Sequence, residues 1–269
     1  MRIIERGNLR VEFIDEGKGP PVVLSHSSVS GNRQWKRLIE GLRDRYRVLA
    51  PNLYGYGQTT AWTEDGTQTI DAAAEVLLAV CEELEGPIRL VGHSWGGGVA
   101  LATAKILGAR VSHLALFEPM LASMLREHGR REAWAEASAL HADVKQLGGT
   151  SQWDALAKRF TDYFNGEGAW EATPVERQKA IAALLLPNYY EWDSAQTPTT
   201  SDSFANVSAR TLLMRSADTR MVMSQIVDLL SAAFPNWQVI EIPDGGHMAP
   251  MTRPDAVNGA IAAFLDVPQ

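Results

Sequence analysis

Cysteine is nearly missing from this chain of 269 residues: Cys81 stands alone, so no internal disulfide can form and a reducing compartment is expected. A basic excess is missing too. Lys and Arg number 25 against 32 Asp and Glu, a formal net charge of −7, whereas a protein that neutralises nucleic-acid phosphates needs clustered positive charge. Nucleic acid is therefore not expected as a partner. Nowhere do about 18 uncharged apolar residues follow one another, as a membrane-spanning helix would require. The opening MRIIERGNLRVEFIDEG carries no apolar run of signal-peptide length, and the expectation is a cytoplasmic protein without a membrane partner. His113, His128 and His141 show no paired spacing of the kind metal ligands adopt, so neither a metal nor another cofactor is expected.

What is present is an ordinary globular composition, 45% hydrophobic and 21% charged, with a strong alternation of element types. Strands are predicted over 11–15, 21–25, 46–50, 88–91 and 111–117, and helices near 33–43, 70–84 and 96–107. The runs PVVLS and IRLVG are continuously apolar, as strands covered on both faces should be, so they belong in the middle of a mostly parallel sheet flanked by helices. Cys81 falls at helical spacing with Ile70, Ala74 and Leu77 and reads as a small buried hydrophobe. Residues 120–205 break the rhythm with helix-forming runs and no strand, which reads as an inserted helical cap. The strands ARTLLMRS and WQVIEI and helices near 223–234 and 254–265 then complete the sheet. The expected organisation is an α/β core over 1–119 and 206–269 with a cap over 120–205.

One motif carries chemistry. Gly92-His93-Ser94-Trp95-Gly96 is a G-x-S-x-G string that follows a buried strand and opens a helix rich in small residues. In that context it forms a sharp turn that lifts the serine hydroxyl above the sheet edge, with the helix N-terminus favouring negative charge nearby. Glycine is needed on both sides because a side chain there would meet the crossing backbone.

With these residues the chain resembles the α/β-hydrolase superfamily over essentially its whole length, including the position of the cap. Val22-Val23-Leu24-Ser25-His26-Ser27-Ser28 is similar to the family's strand followed by His-Gly-x, with Ser27 where Gly is usual. The resemblance implies that the backbone N–H groups of Ser28 and Trp95 form an oxyanion hole. Ala50-Pro51-Asn52-Leu53-Tyr54-Gly55-Tyr56-Gly57 resembles the family's Pro-Asp-x-x-Gly-x-Gly turn, with Asn52 in place of the acid, and reads as scaffold. Dehalogenase and epoxide hydrolase versions of the fold use Asp at the elbow, and Ser94 argues against both.

A serine hydroxyl is a poor nucleophile until a base removes its proton, and the base must be held in one tautomer by a third group. Of six histidines, His247 in PDGGHM follows the strand WQVIEI, where the family keeps its catalytic imidazole. Asp218 in MRSAD follows the strand RTLLM and completes the chain order Ser, Asp, His expected on this fold. Two other carboxylates compete: Asp244, three residues before His247, and Glu118 in LFEP, at the end of the strand before the cap, where some family members keep their acid.

The expectation is a serine hydrolase for an ester, lactone or related acyl bond of a small, largely apolar molecule. The cap aromatics Trp134, Trp153, Phe160, Tyr163, Phe164, Trp170, Tyr189, Tyr190 and Trp192 are expected mainly in the core of the cap, and those that face the sheet would wall a mostly apolar chamber. Perhydrolysis, carbon–carbon cleavage and lyase chemistry use similar triads, and a ligand receptor with little turnover is the alternative from another class.

Overall fold

The computed structural model describes residues 1–63 and 67–268; Gln269, the last residue of the expected core, lies outside them. Eight strands form one sheet: β1 (Arg2–Arg6), β2 (Leu9–Glu16), β3 (Pro21–Ser25), β4 (Arg47–Pro51), β5 (Ile88–His93), β6 (Val111–Phe117), β7 (Arg210–Ser216) and β8 (Gln238–Ile242). Their order is β1-β2-β4-β3-β5-β6-β7-β8. The pairs β1/β2 and β2/β4 are antiparallel, and every later pairing is parallel.

Helices α1 (Lys36–Leu42), α2 (Ile70–Cys81) and α3 (Trp95–Leu107) alternate with the first strands. Between β6 and β7 run α4 (Ala122–Glu127), α5 (Arg131–Gly149), α6 (Trp153–Asn165), α7 (Ala169–Ala172), α8 (Val175–Ala183) and α9 (Leu185–Glu191). Helix α10 (Met221–Ala233) follows β7, and α11 (Ala249–Thr252) and α12 (Pro254–Leu265) close the chain. No helix among the described residues is long and apolar enough to cross a membrane.

The continuous apolar strands are explained by two cores on opposite faces of one sheet. Val22 and Leu24 pack with α1 and α12 through Leu38, Leu42, Val257 and Ile261, while Val23 between them packs with α2 and α3 on the other face. In β6 the same period of two sends Ala115 and Phe117 to one core and Leu114 and Leu116 to the other. Cys81 is buried, and desolvation pushes its thiol up to about 12, so it remains a packed hydrophobe.

Two differences from the sequence reading have local causes. The strand β1 was not expected, because RIIER carries charge at both ends and is mostly exposed; it gains its partner only by the antiparallel hairpin with β2. Helix α2 stops at Cys81 rather than reaching residue 84, where a turn still tucks Leu84 into the core.

Candidate active site

The sheet delivers Ser94, Glu118 and His247 to one edge. Ser94 sits between β5 and α3 with φ 55° and ψ −124°, a conformation that costs a non-glycine residue about 1–3 kcal/mol and persists only when its surroundings enforce it. They do so through crowding. A Cβ on Gly96 would lie 2.2 Å from the His26 carbonyl oxygen, and one on Gly92 would lie 2.4 Å from that of Gly96. The Ser94 amide donates to Phe117 O at 3.0 Å, and its carbonyl accepts from Gly97, Gly98 and Met120. The turn that carries Ser94, helix α3 and the end of β6 are thus tied together.

His247 stands in the turn after β8 and is 3% exposed. Its Nε2 lies 2.8 Å from Ser94 Oγ, and its Nδ1 lies 2.7 Å from Glu118 Oε2. Glu118 is fully buried and accepts two further hydrogen bonds: the Ser216 amide to Oε1 at 2.8 Å, and the Thr219 hydroxyl to Oε2 at 2.8 Å. Two donors besides the imidazole satisfy the carboxylate and fix its orientation, the arrangement that makes a buried anion tolerable.

The carboxylate that meets the imidazole is not the expected one. Asp218 is not on the imidazole: its exposed carboxylate accepts from the Ser216 hydroxyl at 2.5 Å and from the amides of Gly246 at 2.8 Å and Gly245 at 3.3 Å. Those bonds, led by the one from Ser216, hold its pKa below the usual carboxylate value. It clamps the turn that carries His247. Asp244 is engaged elsewhere, by Arg253. The signal for Glu118 was the sequence VSHLALFEP, in which a lone charge closes a strand buried along its whole length.

A second layer of polar contacts holds the imidazole and the loop after β3. Buried His93 lies with Nε2 2.8 Å from the His247 carbonyl and Nδ1 3.1 Å from Gln34 Nε2. Desolvation drives the His93 pKa well below its ordinary value, so the ring is neutral; with Gln34 as donor to Nδ1, the proton sits on Nε2. The Gln34 carbonyl oxygen in turn accepts from the amide and hydroxyl of Ser27 and from the Ser30 hydroxyl. That is what Ser27 does where glycine is usual: its hydroxyl joins the same anchor. His26 accepts from the Leu53 amide through Nε2, and burial lowers its pKa to about 4. Asn52 bridges the Asn32 amide and the Glu12 carboxylate, a structural junction.

Ser94 opens onto two lobes of one cleft. The outer lobe, about 660 Å³ including its mouth, is walled by Phe160, Phe164, Ile181, Met248 and Met251, with Arg177 at the rim. The inner lobe, a narrow one of about 370 Å³ including space open to solvent, lies beside Ser28, Trp95, Met120, Asn188, Glu191 and Trp192. Phe164 also covers the His247 ring, with centroids 4.9 Å apart. Of the aromatics in the helices between β6 and β7, Phe160, Phe164 and Trp192 reach the cleft, while Trp153, Trp170 and Tyr189 pack on the cluster built from Leu140, Val144, Leu156 and Leu185. Ser28 and Trp95 border the inner lobe beside Ser94, and Trp95, as first residue of α3, has an amide with no intrahelical acceptor. Among the described residues no group of three His, Cys, Asp or Glu side chains could hold a metal ion.

Comparison with known proteins agrees with this architecture. The chain is 26% identical to haloalkane dehalogenase 2 of Mycobacterium tuberculosis, covering 94% of this chain and 90% of that one. An esterase from Thermogutta terrifontis superposes with a TM-score of 0.74 at 25% identity, covering 98% of each chain. The enol-lactonase of Burkholderia xenovorans shares the fold, with a TM-score of 0.79 at 18% identity over 99% of this chain and 100% of that one. The model of the alpha/beta hydrolase family matches residues 11–260, nearly the whole chain, and the protein belongs to that family.

Proposed function

We propose that the protein is a serine hydrolase that cleaves an ester, lactone or related acyl bond of a small, largely apolar molecule. The observation that carries this reading is the unbroken relay from Glu118 through His247 to Ser94, with contacts of 2.7 and 2.8 Å, at the floor of an apolar cleft. Ser94 Oγ attacks the carbonyl carbon while His247 Nε2 takes its proton; Glu118 holds the tautomer and offsets the imidazolium charge. The amides of Ser28 and Trp95 receive the oxyanion, each worth about 10²-fold in rate. As the tetrahedral intermediate collapses, the proton passes from His247 to the departing alcohol oxygen. Water then attacks the acyl-enzyme by the same route, giving the acid and free Ser94. The helices over 120–205 act as a cap that shapes the cleft.

The mycobacterial relative's name raises dehalogenation, but the dehalogenase versions of this fold rely on a carboxylate at the elbow. This chain offers a hydroxyl there, whose alkylation would leave an ether that water does not release. The test is labelling by a fluorophosphonate probe together with turnover of a panel of esters and lactones. Wild-type protein labels at Ser94 and turns over at least part of the panel, and Ser94→Ala does neither; folded wild-type protein that resists the probe would sink the reading.

A further inference from the structure

The Ser28 amide can hold an oxyanion only while the loop after β3 keeps its shape, and that loop is strained. Val29, the next residue, has φ 56°, a left-handed conformation that a β-branched side chain rarely adopts and that persists only where the surroundings enforce it. From the core, Ser27 and Ser30 are tied to Gln34, and the Val29 amide donates to the hydroxyl of fully buried Tyr56 at 2.9 Å. Ser28 has a different anchor: its hydroxyl donates to Oε2 of Glu191, the last residue of α9. Glu191 is 3% exposed; the same oxygen accepts from Asn188 Nδ2 at 3.2 Å, and the Tyr56 hydroxyl is hydrogen-bonded to the carboxyl as well. Helix α9 is itself fixed on two sides. A Cβ on Gly55 would lie 2.8 Å from Pro187 Cγ, so α9 rests on the turn that carries Tyr56, and Lys145 of α5 donates to the Tyr189 carbonyl at 3.0 Å and pairs with Asp193 at 2.6 Å.

We infer that Glu191 is a positioning residue for acyl transfer: through the Ser28 hydroxyl and Tyr56 it holds the oxyanion loop in place from the opposite wall of the cleft. The inference rests on the serine-hydrolase reading and makes α9 part of the catalytic geometry as well as of the cleft wall. Glu191 touches no reacting atom. An oxyanion donor works only when its N–H points to where charge develops, and a displacement of about 1 Å costs on the order of 10²-fold in rate. One carboxyl that bonds Ser28 and Tyr56, whose hydroxyl receives the Val29 amide, governs two successive residues of the strained stretch. Such a group is kept at a cost in solvation, since burial pushes its pKa up to about 7; an apolar side chain would avoid that cost but leave the Ser28 hydroxyl unpaired.

The test is steady-state kinetics on the shortest 4-nitrophenyl ester that the wild type hydrolyses, where lost orientation appears in kcat and lost substrate contacts appear in KM. Glu191→Met, which keeps the volume and removes the acceptor, lowers kcat about tenfold or more and changes KM less than about threefold. Glu191→Gln keeps an acceptor for the Ser28 hydroxyl and recovers most of the loss. Ser28→Ala retains the backbone amide and loses a similar factor; the double variant Ser28→Ala/Glu191→Met loses less than about threefold beyond the worse single variant, because both changes cut the same tie. Should Glu191→Met fail to fold, Ser28→Ala, the loss of one half-buried hydroxyl, decides in its place. A kcat within about twofold of wild type in folded Glu191→Met or in Ser28→Ala, a loss confined to KM, Glu191→Gln no better than Glu191→Met, or losses that multiply in the double variant would each overturn the inference. Fluorophosphonate labelling is run alongside. Variants that match a wild type that labels at Ser94 and turns over ester remove the inference alone, whereas folded wild-type protein that resists the probe or hydrolyses no ester removes the hydrolase reading and the inference with it.

Discussion

Glu118 and Asp218 leave adjacent parallel strands at the same edge of the sheet, and their surroundings alone separate their chemistry. Glu118 is buried with one oxygen on the His247 imidazole; Asp218 is exposed and spends its oxygens on the Gly245 and Gly246 amides. In Glu118→Gln an amide nitrogen can face Nδ1 and turn the imidazole into the wrong tautomer, so kcat on a small activated ester is expected to fall about 10³- to 10⁴-fold. Asp218→Asn keeps an acceptor for the loop amides and is expected to cost less than about tenfold. Equal losses in the two variants would contradict the assignment. The meeting of Ser94 and His247 was legible because each sits in a motif or turn with a fixed place on the fold. The carboxylate that meets the imidazole was not, since the chain order Ser, carboxylate, His fits Asp218 and Glu118 alike, and burial is a property of packing that neither local sequence states.

Glycine shows how differently the same residue acts in different elements. At the elbow, a methyl group on Gly96 would meet the carbonyl oxygens of His26 at 2.2 Å and Ser25 at 2.5 Å, both backbone atoms that cannot swing away. Gly96→Ala is therefore expected to destabilise by more than about 3 kcal/mol, read by urea denaturation or by loss of folded protein. In α12, Gly259 has nothing within 4 Å of the same position, so Gly259→Ala should stabilise by up to about 1 kcal/mol. A destabilised Gly259→Ala would show that the helix face carries a contact not visible in the fold. The central elements were readable for the reason these glycines are: close approach and two-sided burial leave a dense apolar and small-residue pattern. The strand β1 left none, because its partner β2 and not its own burial makes it a strand.

At the scale of the whole molecule, buried titratable groups pull stability in opposite directions with pH. His26 and His93 are held neutral by burial, the former lowered to about 4 from 6.5, so the unfolded chain takes up protons first and their contribution is lost as pH falls below about 6.5. Glu191 has the opposite sign. Burial raises its pKa from 4.5 to about 7, so the folded state holds a proton that the unfolded state has released. Its contribution is present below 4.5, declines as pH rises through the interval, and levels off above about 7, with a ceiling of about 3 kcal/mol. Glu191→Gln removes that titration while leaving both histidines in place. The difference in unfolding free energy between variant and wild type, from urea melts at several pH values, should therefore shift in favour of the variant as pH rises from about 4.5 to 7 and then flatten. A difference constant across that interval would mean that Glu191 titrates alike in the folded and unfolded chain, and so that the inner lobe is wetter than its burial implies.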